Sequence, residues 1–271
     1  MAEFASNRTG LAGLALLAIM ALAVTAGPSI RGLDPFDIVS APFMPPDRAT
    51  PFGADYVGRD VLAGTLHGGR ASLAVGLSAA ALTAAIGLTV GVLGGWFGGK
   101  LDAVLTKTTE FFQVLPTLLF AMVLVSVFSP SLRTVALAIG ATSWMNVARL
   151  ARAEMMRLKN LDFVSSAAAS GASGLYVMTR VALPNALPPI IVQAAFDVSW
   201  AILLEGSLSY LGLGDPNRMS WGLIIGQNKN YVLDAWWTVV FPGAAIFLSV
   251  LGVCLAGDAL NDALNPRLRR R

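Results

Sequence analysis

Residues 162–189 read DFVSSAAASGASGLYVMTRVALPNALPP, a stretch of small residues, glycines and prolines set between long apolar runs. Too broken to cross a bilayer as written, it is one of the two long interludes in the last two thirds of the chain. Arg149, Arg152, Arg157 and Lys159 precede it and Arg180 lies within it. A polytopic protein keeps basic loops of this kind on the cytoplasmic side, so this stretch fixes the orientation of everything around it.

The composition agrees with a membrane protein. Hydrophobic residues make up 55% of the 271 positions and charged residues only 13%, about half the roughly 25% of a soluble domain. The net charge of +3 does not point to nucleic acid, because the basic residues sit in short patches between apolar runs and in the terminal NPRLRRR, where they set topology and rest near anionic lipid. Cys254 and His67 are the only residues of their kinds. They leave no disulfide framework, no metal-ligand spacing and no histidine-based nucleophile pair, and no metal site is expected.

Moving outward from the central stretch, six spans are expected, making an all-α polytopic fold. Residues 11–30 form an apolar run of about 20, enough for a bilayer core of roughly 30 Å, read as a retained anchor rather than a cleaved signal. Residues 31–68 are rich in proline, glycine and aspartate, an ordered external loop ending in a short helix near Asp60 to Leu66. Span 2, from Ala71 to about Gly95, is dense in small residues that let helices approach closely in lipid. Its end, GGWFGGKL, nearly matches a phosphate loop through Gly94, Gly99 and Lys100, but Leu101 replaces the hydroxyl and no strand precedes it, so ATP binding there is rejected.

Span 3 runs from about Val104 to Phe128 with a kink at Pro116, and span 4 from Thr134 to about Leu150. Span 5 starts after Pro188 and Pro189, suited to a first helical turn, and runs to about Glu205. Residues 206–235 lie outside, part re-entrant, and span 6 runs from about Trp236 to Ala256, with Trp237 in an interfacial belt. Trp96 and Trp221 are read as loop anchors at the interfaces, and Thr83, Thr89 and Asn146 as interhelical hydrogen-bonding groups. With both termini inside, twelve of the nineteen Lys and Arg residues fall on the cytoplasmic side.

Within the central stretch the spacing is Ser165, Ser166, Ala167, three residues, Gly171, nine residues, Val181, one residue, then Leu183 and Pro184. This resembles the EAA loop of ABC importer permeases, EAA---G---------I-LP. Further matches follow in order: GADYVGRDVLAGTLHGGRASLAVG, GGWFGGKLDAVL, WAILLEGSLSYLGLG, SWGLIIGQ and GDALNDALNPRLRRR. Over roughly residues 50–271 the chain is similar to the C-type permease subunit of dipeptide, oligopeptide and nickel importers, the dipeptide type fitting best. The family's glutamate position holds Ser165 and its first alanine Ser166, so the loop lacks the usual acidic contact.

The resemblance implies the transmembrane domain of a type I ABC importer in a bacterial inner (plasma) membrane. Residues 1–35 would be the N-terminal transmembrane helix, 36–68 an extracytoplasmic loop, 69–258 the permease core with a coupling loop at 153–187, and 259–271 a cytoplasmic basic tail. The implied partners are a homologous permease subunit, two ABC ATPases that bind the ATP and magnesium, and an extracytoplasmic binding protein. This chain itself would hold no cofactor. Coupling would run through Asp162, Phe163, Ser165, Ser166, Ala167, Gly171, Val181, Leu183 and Pro184, with Asp162 capping a short docking helix and Gly171 turning the chain off it.

Asp197 and Glu205 are the acidic residues in or at the end of span 5, and ionisable groups at that depth are candidates for the pathway or a gate. As an intramembrane catalytic pair they would stand about 12 Å apart along a helix, too far to share a proton. The cargo reads as dipeptides or short peptides, with nickel chelates or haem as the alternative within the class. A structural membrane protein with no transport role is the alternative outside it.

Overall fold

The computed structural model describes residues 8–264, and what the described residues build is helical, with two isolated β-bridges, Ile38–Arg59 and Ala54–Asp60, in the long loop. In chain order the helices are α1 (Arg8–Arg31), α2 (Val61–Phe97), α3 (Gly99–Val114), α4 (Thr117–Phe128), α5 (Leu132–Ser143), α6 (Met145–Lys159), α7 (Asp162–Ala169), α8 (Gly174–Tyr210), α9 (Trp221–Asn228) and α10 (Trp237–Leu264). By length and apolar composition α1, α2, α8 and α10 each suffice to cross a membrane, and α3 with α4 add a bent fifth span. The fourth expected span falls on the shorter pair α5 and α6, interrupted at Trp144.

Helix α2 is the axis of the bundle. Its 37 residues pack against α6, α8, α5, α1 and α3, which a helix can do only if its surface is smooth. Gly87, Gly91 and Gly95 recur every four residues on the side that meets α6. A Cβ on Gly87 would lie 2.5 Å from the Val147 Cβ, one on Gly91 2.6 Å from the Ala151 Cβ, and one on Gly95 2.6 Å from the Arg152 carbonyl oxygen. The two helices therefore pack closely along a seam of just over two turns, the small-residue packing that substitutes in lipid for hydrophobic exclusion. Where α2 ends, Lys159 Nζ donates to the Trp96 carbonyl oxygen at 2.6 Å, placing a cation on an orphan helix-end acceptor.

Several expectations need correction. The short helix near Asp60 is the first turn of α2 itself: Asp60 caps it, its carboxylate accepting from Ala63 N at 2.7 Å, and nothing breaks the helix before the apolar run. Pro116 does more than kink a span, because Leu115 and Pro116 are both extended and α3 and α4 meet at 87°. Pro188 and Pro189 lie inside α8 rather than at its start. The helix begins two turns or more earlier, at Gly174, so the coupling loop is mostly helical and the expected boundary at 187 is not a break.

The tail expected at 259–271 is helical as far as Leu264, the end of α10; residues 265–271, and residues 1–7, lie outside the described part. Trp237 and Trp221 are not interfacial anchors. Trp221 is fully buried and donates to the Thr65 carbonyl at 2.8 Å, while the Trp237 indole donates to the Ala54 carbonyl at 3.0 Å. An indole buried in this way needs such an acceptor. Residues 32–60 form an ordered loop. Asp55 Oδ1 accepts from Val57 N and Arg59 N, and the Thr50 amide and hydroxyl on Asp47 hold that carboxyl below the usual range.

Candidate functional site

Helix α7 is a short helix at the central motif, where a docking helix is expected. Leu161 is its N-cap in an extended conformation and Asp162 is its first residue, with no capping hydrogen bond from a side chain. Asp162 therefore contributes through its charge at the positive end of the helix and not as a cap. The C-terminus follows the expectation closely. Gly171 takes φ +87, its N–H donates to Ala168 O at 3.1 Å, and Ala172 N donates to Ala167 O at 3.4 Å. These two bonds are the Schellman pattern, and a left-handed residue at that place is most readily glycine.

One face of α7 is fastened and the other is bare. Val164 is buried, and α7 packs on α6 and on the start of α8. Phe163 remains 44% exposed, and around it Leu161, Met156, Leu175 and Tyr176 are exposed as well. Ser165 and Ser166 are exposed and Ala167 is half-buried. These apolar side chains sit at the end of the bundle that carries Arg149, Arg152, Arg157 and Lys159.

The Val181–Leu183–Pro184 end of the motif has a separate role. Residues Val177–Ala182 form a π-helical turn, closed by Leu183 N donating to Met178 O. Pro184 has no N–H to give and its ring crowds the carbonyl four residues back, so the helix widens just before it. Met178 and Ala182, on that wide turn, are buried with Val147, Ala151, Met155 and Leu158 of α6. The motif thus welds the start of α8 to α6, and α6 in turn to α2. A bidentate pair, Arg152 Nε to Asp102 Oδ1 at 2.5 Å and Nη2 to Oδ2 at 2.7 Å, fastens α6 to α3.

Asp197 lies midway along α8 and is 8% exposed. It lines a groove of about 360 Å³ with Gln113, Thr117, Ser143, Asn146 and Gln193. Gln193 Nε2 donates to Oδ1 at 3.0 Å, while Oδ2 and the Ser143 hydroxyl have no partner among the described residues. Glu205 is 1% exposed, further towards the outer end of α8, where it accepts from the Ser209 hydroxyl at 2.6 Å; its second oxygen is likewise unpartnered. Eight residues of helix separate the two carboxylates, so they form two sites and not one.

Asn146 belongs to the groove rather than to a helix contact, and Thr89 donates to its own helix at Ala85 O, 2.8 Å away. Thr83 is buried. Trp96 sits at the inner end of α2 with the Lys159 ammonium 5.8 Å from its ring centroid. Gln113, Thr117, Ser143 and Gln193 were not singled out from the sequence. They come from four different helices, and only the 87° bend after α3 brings the first two beside the others.

Comparison with known proteins follows the same lines. Residues 87–270 match the model of a family described as binding-protein-dependent transport system inner membrane component. A dipeptide transport system permease protein of Haemophilus influenzae is 36% identical over 275 residues, covering 98% of this chain and 93% of that protein. A di/tripeptide transport system permease protein of Pseudomonas aeruginosa is 34% identical, with 98% and 91% covered. Among solved structures, a chain of the MetNI methionine ABC transporter in an inward-facing conformation aligns with a TM-score of 0.60 at 18% identity, covering 74% of this chain and 96% of that one. At that identity the likeness speaks for the fold.

Proposed function

The chain belongs to the family of inner membrane components of binding-protein-dependent transport systems, and on that premise we propose that it forms half of the pathway of an ATP-driven importer of dipeptides or short peptides. The substrate class is supported by the relatives that carry peptide-transport names at similar length. The observation that carries the coupling role is α7, a helix fastened on one face and apolar and bare on the other. Phe163 is the anchor offered to an ATPase cleft. Ser165, in place of the family's glutamate, makes the seating depend on shape and apolar burial more than on charge.

Two ATPases, a homologous permease and an external binding protein complete the system in this reading, with ATP and magnesium held by the ATPases and both termini of this chain in the cytoplasm. Closure of the ATPases on ATP displaces α7. The displacement passes to α6 through the two-residue link Asn160–Leu161 and to α8 through the wide turn before Pro184, and then to α2 along the glycine seam. Because these helices are in backbone contact they move as a body, shifting the population between inward-facing and outward-facing states. Asp197 then faces the pathway, and Glu205 stands at the outer end as a gate or subunit contact.

The test is ATP hydrolysis by the co-expressed complex in lipid, with and without its binding protein loaded with a dipeptide. Stimulation by the loaded binding protein is expected, and it is expected to vanish in an Ala167→Trp, Gly171→Val double variant present at normal abundance. A complex to which no ATPase binds would refute the reading.

A further inference from the structure

The groove beside Asp197 combines features that a lipid-facing or purely structural surface does not need. It carries one carboxylate, several amides and hydroxyls, and no basic residue among the side chains that line it. The carboxylate is more than nine-tenths buried with one oxygen unpaired, and Ser143 adds a second unpaired polar atom in the same wall. A half-satisfied carboxylate at membrane depth is costly and persists where something completes it. By contrast, the cavity of about 390 Å³ beyond it, lined by Leu118, Leu203, Gly206 and Ile246, is almost wholly apolar. Polarity thus falls away from the groove on that side.

The surroundings indicate the charge and direction of what stops there. Gln113 lines both this groove and a second cavity of about 240 Å³ nearer the cytoplasmic end, where Arg149 and Arg152 take over the wall beside Glu110. Arg149 Nη1 donates to Gln113 Oε1 at 3.3 Å. Of these two adjoining cavities the inner one holds the guanidiniums, and in the groove the Asp197 carboxylate stands without a basic neighbour in the lining.

We infer that the groove is a station for the ammonium group of the passing cargo, with Asp197 as its counter-ion and the Gln113, Asn146 and Gln193 amides as hydrogen-bonding partners of the peptide unit. The inference rests on the importer reading above and names the chemistry by which the membrane subunit itself selects. Its volume is at the lower end of the range of about 300–1,000 Å³ for small-molecule sites, which suits one or two residues and not a folded chain. Gln193 holds Asp197 from one side only, and the second oxygen is left without a partner among the described residues.

The test uses the complete transporter in liposomes, with radiolabelled alanyl-phenylalanine as the probe, and follows uptake and ATP hydrolysis together. An N–H to carboxylate bond contributes about 1.5–3 kcal/mol, which corresponds to roughly ten- to a hundredfold in equilibrium. Asp197→Asn is therefore expected to lower peptide delivered per ATP by about tenfold or more, while stimulation of hydrolysis by the loaded binding protein stays within about twofold of wild type; Asp197→Glu recovers most of the delivery. Lactoyl-phenylalanine, with a hydroxyl in place of the ammonium and supplied at saturation of the binding protein, is expected to be delivered as poorly by wild type as the dipeptide is by Asp197→Asn. Unchanged delivery by Asp197→Asn, equal delivery of the two cargoes by wild type, or a parallel loss of delivery and stimulated hydrolysis in the variant would each overturn the inference and leave the importer reading standing. A wild-type complex that takes up no dipeptide would remove both.

Discussion

At the end of the bundle that residues 32–60 cover, the chain folds back on itself and many of its polar groups are used. Asn228 Oδ1 accepts from Tyr56 N at 3.1 Å and its amide donates to Ile224 O, Trp237 reaches the Ala54 carbonyl, and Asp60 both caps α2 and accepts from Arg31. At the opposite end the backbone is as well closed, by the Schellman bonds around Gly171, yet Phe163, Leu175 and Tyr176 are left uncovered. The chain buries Trp221 completely at one end and leaves Phe163 bare at the other, and in the importer reading that second end is the one offered to a partner. Substitutions at the first end should therefore register as stability, and substitutions at the second as coupling.

The largest loss of stability is expected at Trp221. It is wholly buried beside Val24, Ile202 and Ala245, and its indole N–H is used. Trp221→Ala should cost about 3–5 kcal/mol, the range for truncating a large core aromatic, visible as a lower unfolding temperature and lower abundance of the purified subunit in detergent. A small shift there would break the contrast between the ends.

Next comes Asp60, 29 residues from Arg31 in sequence and joined to it by an ion pair. Asp60→Ala removes the cap of α2 and takes the carboxylate from the Arg31 guanidinium, at about 2 kcal/mol where a cap alone is worth about 1. Asp60→Asn keeps the cap and loses the charge, so its unfolding temperature should fall between those of Asp60→Ala and wild type.

How much of this was legible beforehand depended on whether a feature is local. The Gly171 turn needs only the conformational demands of six neighbouring residues, and the sequence states them. The small residues of α2 announced a close-packed helix, though not that α6 was the neighbour. The prolines misled for a shared reason. Pro188 and Pro189 suit a helix start when read alone, yet they sit within α8 because packing against α2 and α6 continues the helix through them. Pro116, expected as a kink, sits at a near right angle because Leu115 joins it in extended conformation.

Trp221 and Trp237 were read as interfacial from residue type; Trp221 is core because α9 tucks it among Val24, Ile202 and Ala245, and Trp237 because Phe43 and Phe52 of the long loop fold against it. The groove was half visible. Asp197 declares itself as a carboxylate in an apolar run, but its company of Gln113, Thr117 and Ser143 depends on four helices meeting, which no spacing encodes.

Gly171 and Phe163 carry the smallest stability effects and the sharpest form of the contrast. Gly171→Ala places a Cβ at φ +87 with nothing within 4 Å of it, so only backbone strain is felt, about 1 kcal/mol. Phe163→Ala should move the unfolding free energy of the subunit by no more than about 0.5 kcal/mol, since a residue already 44% exposed gives up little burial. Its effect belongs to the partner. If α7 seats in an ATPase by burying that ring, losing it forfeits about 1.5–3 kcal/mol of association, or roughly a ten- to hundredfold weaker complex. Measured by co-purification against ATPase concentration, a weakened complex from a subunit of unchanged unfolding temperature separates docking from folding. Equal retention of the ATPase by Phe163→Ala and wild type would mean that the bare face is covered by something else, and Leu175 and Tyr176 would be the next residues to truncate.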